Sequence, residues 1–258
     1  MAKTIAFVNQ KGGVGKTTSA VNLAATVAAK GFKVLLVDID PQGNATSGLG
    51  INKREVKASS YDIIVNAQPI EKVIMHTEFK NLWVIPSSMN LAGAELELVE
   101  MSHRESKLKN SLAIIKSNFD FIFLDCPPSL GLITLNGLCA AETILVPIQC
   151  EYYALEGLSQ LISTVRTVKR VYNPRIDMEG VLLTMFDSRL NLTHQVVDEL
   201  KKFFPQKVYS TVIPRNVKLS EAPSFGLPIN YYDKKSKGAE AYDELADEFL
   251  RKNGKEVV

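Results

Sequence analysis

Short, continuously apolar runs alternate along the chain with longer segments whose apolar residues recur every three or four positions. The runs at 4–8, 34–37, 82–85, 121–124, 143–146, 181–184 and 208–212 have the length and the β-branched and aromatic content of strands. Most carry no polar alternation, so both faces of the strands they predict must be covered. Helical periodicity fills the gaps at 18–30, 104–117, 155–171, 192–204 and 238–252. This alternation predicts an α/β fold, a doubly wound, mostly parallel sheet with helices on both faces. No linker rich in Gly, Pro or Ser, no internal repeat and no low-complexity tract divides the chain, so residues 1–258 are expected to form one domain.

Composition narrows the class. With 258 residues, 46% hydrophobic and 22% charged, the chain can bury a sizeable core and is neither disordered nor collagen-like. Its 30 Lys and Arg against 28 Asp and Glu leave a formal charge of +2, too balanced for wholesale polyanion binding, so any affinity for nucleic acid must reside in a local face. Cys126, Cys139 and Cys150 lie in apolar surroundings with neither a C-x-x-C pair nor a nearby His, which argues against a disulfide framework or a zinc site. The first apolar stretch, 5–8, is too brief for a signal peptide, and no apolar run approaches 18 residues. A cytoplasmic location is expected.

In sheets of this kind ligands bind where strands end and helices begin. The turn after the first predicted strand reads Asn9-Gln10-Lys11-Gly12-Gly13-Val14-Gly15-Lys16-Thr17-Thr18. Glycines let such a turn wrap closely with its N–H groups inward, the following helix adds its positive end, Lys16 supplies a charge for β- and γ-phosphates, and Thr17 offers a hydroxyl to Mg2+. The general G-x-x-x-x-G-K-[ST] pattern requires Gly at position 10, where this chain has Gln10, so the match is to a deviant form. Two acidic strand ends, Val37-Asp38-Ile39-Asp40 and Leu124-Asp125, supply the carboxylates that a phosphate and magnesium site needs.

The stretch from Lys11 to Thr18 resembles the deviant Walker A box of the ParA/MinD ATPase superfamily, with Lys11 in the position of its extra lysine. Asp38-Ile39-Asp40-Pro41-Gln42-Gly43-Asn44 is similar to the second motif of that superfamily, and Asp125-Cys126-Pro127-Pro128-Ser129 to its Walker B and switch segment. The stretches from Gln149 to Gly157 and from Ile213 to Pro223 resemble the chromosomal ParA (Soj) branch. The resemblance implies an ATPase of the deviant P-loop NTPase fold using ATP and Mg2+. It implies that Lys11, Gly12, Gly13, Val14, Gly15, Lys16, Thr17 and Thr18 cradle the nucleotide, and that Pro214 and Asn216 hold the base. Lys11 would reach the phosphates of a second subunit in an ATP-dependent homodimer. A second ammonium beside Lys16 in the same cradle would meet like-charge repulsion, which reaching across avoids. Asp40 would orient the attacking water, Asp125 would hold the water shell of the magnesium that Thr17 and Asp40 also face, and Asp38 would support them.

Charge is unevenly spread. Between Arg166 and Lys218 ten basic residues face five acidic ones, a net +5 that leaves −3 for the rest. Such polarity suits nonspecific binding of a phosphate backbone, and Arg189 and Lys218 match positions implicated in DNA binding in Soj-like proteins. The family further implies double-stranded DNA and a ParB-like centromere-binding protein as partners, and a nucleoid-associated location. A membrane-associated ATPase of the MinD kind is the alternative. It would need a basic amphipathic C-terminal helix, whereas here the stripe Tyr242, Leu245, Ala246, Phe249 and Leu250 is flanked by Asp243, Glu244, Asp247 and Glu248. That helix is expected to cap the sheet, with no membrane partner. An iron–sulfur reductase is disfavoured because none of the three cysteines sits in a cluster-ligand context.

Overall fold

In the computed structural model, which describes residues 1–151 and 154–256, the apolar runs pair into one sheet. The chain begins with β1 (Lys3–Phe7), α1 (Lys16–Ala29), β2 (Val34–Asp38), α2 (Asn44–Gly48) and α3 (Ser60–Ile64). It continues through β3 (Met75–His76), β4 (Leu82–Ile85), α4 (Leu91–Val99), α5 (Lys107–Ile115), β5 (Phe121–Asp125) and α6 (Leu132–Ala140). There follow β6 (Thr143–Gln149), α7 (Ala154–Val171), β7 (Asp177–Thr184) and α8 (Asn191–Phe203). The last helices are α9 (Val217–Glu221), α10 (Ile229–Tyr232) and α11 (Lys237–Lys252). Strand order is β3-β4-β2-β5-β1-β6-β7, parallel throughout except for the two-residue β3.

The strands are apolar along most of their length because the pleat sends alternate residues into two separate cores. Phe121 and Phe123 face α1 and α11, whereas Ile122 and Leu124 face the opposite core with α5, α6 and α7. The doubly wound arrangement expected from the sequence is the one observed. On the first face Phe249 of α11 meets Phe121 and Phe123 at ring separations of 5.0 and 5.5 Å. The apolar stripe of α11 is therefore consumed inside the protein. Lys30 of α1 pairs with Asp243 and Asp247 at 2.7 Å each.

The run at 208–212 is not a strand. It lies beside β7, with Tyr209 N–H donating to the Val181 carbonyl at 2.9 Å and Ile213 N–H to Leu183 at 2.8 Å. Between these, the N–H groups of Ser210 and Thr211 donate to the Glu248 carboxylate at 2.9 and 2.8 Å. A side-chain acceptor on a distant helix replaces the ladder there, a competition that local β propensity does not register. Glu248, expected on the acidic surface of α11, is buried by that task. Helix α4 has no clear signature in the sequence because Gly93 and the exposed Leu96 and Val99 blur its Leu91, Ala94, Leu98 stripe. Among the described residues no helix is long and apolar enough to cross a membrane.

Replacing Phe249 with Ala removes the ring that joins α11 to β5. It should cost about 3–5 kcal/mol of stability, read as a lower midpoint in urea unfolding of the nucleotide-free protein.

Candidate functional site

The carboxyl ends of β1, β2, β5, β6 and β7 meet at one edge of the sheet, and every acid, glycine and lysine singled out in the first half of the chain lies there. The loop after β1 is fastened on both sides. Asn9 Nδ2 donates to the Pro147 carbonyl at 2.8 Å while its Oδ1 accepts the Lys11 N–H at 3.0 Å, and the Thr184 hydroxyl donates to the Val14 carbonyl at 2.8 Å. Gly13 and Gly15 have φ of 74° and 83°, a region that costs a residue with Cβ and that the tight turn requires. Gly15 is the N-cap of α1 and offers no side-chain acceptor, so the first N–H groups of that helix open toward the loop. A Cβ on Gly12 or Gly13 would meet no atom within 4 Å. Gly12 and Gly13 are exposed, so the loop backbone is open to solvent there.

Lys16 folds back over the loop, its ammonium donating to the Lys11 carbonyl at 3.1 Å, and only 6% of the residue is exposed. Burial lowers its pKa, with Asp125 and then Asp40 acting against that shift. Beneath it, Asp38 and Asp125 end adjacent strands as register partners and are both fully buried. Burial raises the Asp38 pKa to about 6, against the hydrogen bonds from Thr46 and Asp40. Asp125 is pushed well above the carboxylate range, first by burial and then by Asp38. The Thr17 hydroxyl and Lys16 pull it the other way, yet neither Asp125 oxygen has a hydrogen-bond partner among the described residues. Asp40 is 7% exposed, and its Oδ1 accepts the Gln42 N–H at 2.9 Å.

Next to the α1 N-terminus opens a cavity of about 430 Å3, of the size that holds a small ligand. Gly15, Thr18, Thr184, Pro214, Asn216 and Tyr242 are among its lining residues, so the two base-binding candidates share one cavity with the phosphate loop. Asn216 also caps α9, its Oδ1 accepting the Lys218 N–H at 2.8 Å. Met185, on the same wall, has φ of 50°, strained for a residue with Cβ.

Residues 2–178 match the family described as an AAA domain. The sporulation initiation inhibitor protein Soj of Bacillus subtilis is 58% identical over 248 residues, covering 96% of this chain and 98% of its own length. The chromosome partitioning protein ParA of Myxococcus xanthus is 51% identical over 253 residues, covering 98% and 89%. The chain belongs to the ParA/Soj family of chromosome-partitioning ATPases. The structure of a cobyrinic acid a,c-diamide synthase from Mycobacterium smegmatis with a bound ATP analogue and magnesium superposes with a TM-score of 0.86 at 36% identity, covering 100% of this chain and 98% of that one.

Among the ParA/Soj features, Lys11 and the basic residues stand apart from the cradle. The Lys11 ammonium forms an ion pair with Glu151, two residues beyond the end of β6, and both side chains are 44% exposed. Tyr152 and Tyr153 of the same motif lie outside the described residues. Arg189 forks onto Asp187, Nε to Oδ1 at 2.9 Å and Nη2 to Oδ2 at 2.7 Å, and holds that carboxyl well below its usual range, with Arg215 adding to the effect. Lys218 pairs with Glu221 at 2.9 Å. Phe186 N–H donates to the Ile213 carbonyl at 2.9 Å and so ties the loop carrying Arg189 to the turn carrying Arg215 and leading to Lys218. The other basic residues do not join this rim: Arg166, Lys169 and Arg170 are exposed on α7, Lys201 and Lys202 on the last turn of α8, and Lys207 pairs with Asp177. All three cysteines are free and buried, and burial pushes Cys139 and Cys150 up to about 11.

Asn9, Thr184, Thr46 and Ser87 were not singled out from the sequence. Asn9 carried a local signal, an amide two residues before a glycine-rich turn. The others act through contacts that only the fold creates.

The raised Asp125 pKa fixes the sign of one measurement. A carboxyl held protonated by folding stabilises below its unfolded value, and that contribution is lost as pH rises toward its folded value. Asp125→Asn should therefore raise the urea midpoint of the nucleotide-free protein, and by more at pH 8 than at pH 5.

Proposed function

We propose that the chain is a Mg2+-dependent ATP hydrolase whose nucleotide state switches it between a free subunit and a DNA-binding homodimer. The observation that carries this reading is Asp125, a fully buried carboxylate with neither oxygen partnered among the described residues, beneath a glycine loop whose backbone is open to solvent at Gly12 and Gly13. Unpaired buried charge is costly, and a magnesium ion with its waters is the partner this geometry lacks. Among the described residues no three His, Cys, Asp or Glu side chains gather as a metal cage. That suits an ion held by a hydroxyl, phosphate oxygens and water.

In this reading Gly12, Gly13, Val14, Gly15 and Thr18 receive the phosphates through backbone donors and the end of α1, and Pro214 and Asn216 hold the base. Thr17, Asp40 and Asp125 would hold the magnesium, which would supply charge neutralisation to the phosphates. Lys16 gives up its hydrogen bond to the Lys11 carbonyl and neutralises charge from within the cradle. Asp40, half-held by the Gln42 N–H, orients the attacking water. Lys11 leaves Glu151 for the partner's phosphates. Both side chains are nearly half exposed, and surface pairs of this kind are worth about 1 kcal/mol or less, so the exchange is cheap.

Arg189 and Lys218 are exposed and bound to their own neighbours, Asp187 and Glu221. DNA phosphates compete readily for such cations. The two rims of a homodimer would hold double-stranded DNA without reading its sequence. A ParB-like centromere-binding partner would accelerate hydrolysis and release the DNA, consistent with a cytoplasmic, nucleoid-associated protein. The MinD-like alternative is disfavoured by α11, whose apolar stripe is already buried against α1 and β5.

Lys11→Ala should bind ATP and remain monomeric, whereas Asp40→Ala should dimerise with ATP and stay dimeric. Size-exclusion chromatography with ATP and Mg2+ separates these outcomes. Two parental elution profiles would remove both roles.

Arg189→Ala and Lys218→Ala should weaken binding to random-sequence duplexes of any composition. In the Asp40→Ala background each should lower the salt slope by about 1 for every DNA phosphate that a subunit no longer neutralises, with ATP affinity intact. Titrations at several salt concentrations check this, and an unchanged affinity in the double variant would contradict it.

A further inference from the structure

Behind Asp40 lies a ring of hydrogen bonds in which Thr46 and Ser87 have no part in the roles above. Asp38 Oδ1 accepts the Asp40 N–H at 3.1 Å, and its Oδ2 accepts both the N–H and the hydroxyl of Thr46, at 2.8 and 2.7 Å. The Thr46 hydroxyl oxygen accepts the Ser87 N–H at 2.9 Å, and the Ser87 hydroxyl donates to the Asp40 carbonyl at 2.5 Å. The ring closes on Asp40, with the N–H of that residue held from Asp38 and its C=O held from Ser87. Asp38, Thr46 and Ser87 have no solvent exposure, so water cannot replace a missing partner. They come from the end of β2, from α2 and from the loop after β4, three elements that meet at this one residue.

We propose that Asp38, Thr46 and Ser87 are positioning residues that fix the backbone of Asp40, and with it the direction of its carboxylate, for the hydrolytic step. This rests on the reading that Asp40 orients the attacking water. A residue held at both its N–H and its C=O cannot rotate, so the side chain leaves a fixed Cα in a fixed direction. The cavity beside the phosphate loop contains neither Thr46 nor Ser87, so the ring bears on the nucleotide only through Asp40, and because Asp40→Ala is itself expected to bind ATP, the loss falls on hydrolysis rather than on affinity.

The test compares Ser87→Ala, Thr46→Val and the conservative Thr46→Ser, each with Asp40 intact, and Ser87→Ala also combined with Asp40→Ala. ATP affinity is read with a fluorescent ATP analogue, and the chemical step by single-turnover hydrolysis. The expected result is unchanged affinity with hydrolysis slowed roughly 10- to 100-fold in Ser87→Ala and Thr46→Val. Thr46→Ser should recover the rate, and Ser87→Ala should cause no further loss once Asp40 is Ala. Ser87→Ala at the parental rate, or affinity and rate falling together, would overturn the proposal. If Thr46→Val does not fold, Ser87→Ala decides alone. Hydrolysis at the parental rate in Asp40→Ala would bring down the reading of Asp40 and the proposal with it, whereas an inactive Asp40→Ala beside a fully active Ser87→Ala would bring down the ring only.

Discussion

Asp38 and Asp125 end neighbouring parallel strands in register, and neither touches solvent. Two carboxyl groups so placed repel each other and lack hydration, and both are raised in pKa, Asp38 to about 6. The surroundings treat them differently. Asp38 is satisfied by three donors from the chain that follows it, whereas Asp125 is satisfied by none among the described residues. One acid is thereby built into the framework, and the other is the one that the proposed reading assigns to the magnesium. Lys16 and the open end of α1 supply positive potential beside them. Loop, lysine and carboxylates therefore form one electrostatic unit.

The same edge of the sheet carries the parts through which this unit reaches outward. Asn9 fastens the loop to β6, and two residues beyond that strand Glu151 pairs with Lys11. Thr184 fastens the loop to β7, and the next residues run into Asp187 and Arg189. The cavity beside the loop is walled by the turn that leads into Lys218. In the proposed reading, a nucleotide seated at the centre would touch the segments that lead to Lys11 and to Arg189. Both segments leave strands close to β1 in the sheet order β3-β4-β2-β5-β1-β6-β7.

Much of this was legible in the sequence because it is local. The strands announced themselves as apolar runs, since burial on both faces removes polar alternation, and the Lys11 to Thr18 loop carries its chemistry in consecutive residues. Asp40 and Asp125 were visible as acids at strand ends. What escaped depends on contacts between distant positions. Ser210 and Thr211 give up a strand to Glu248, and Ser87 reaches Asp40 from 47 positions away. Thr184 reaches Val14 across 170 positions. A serine or threonine at a strand end has no pattern of its own until the sheet brings its partner near. The polarity of the 166–218 segment was visible as a count, but only the Phe186 to Ile213 hydrogen bond brings Arg189 beside Arg215 and the turn to Lys218.

The central claim is that nucleotide at the Asp125 site governs the basic rim. The most direct measurement is binding of the unmodified protein to a random-sequence duplex at one moderate salt concentration with no nucleotide, with ADP and Mg2+, and with ATP and Mg2+. The account predicts tight binding with ATP alone and weak binding in the other two conditions. Equal affinity in all three would contradict it.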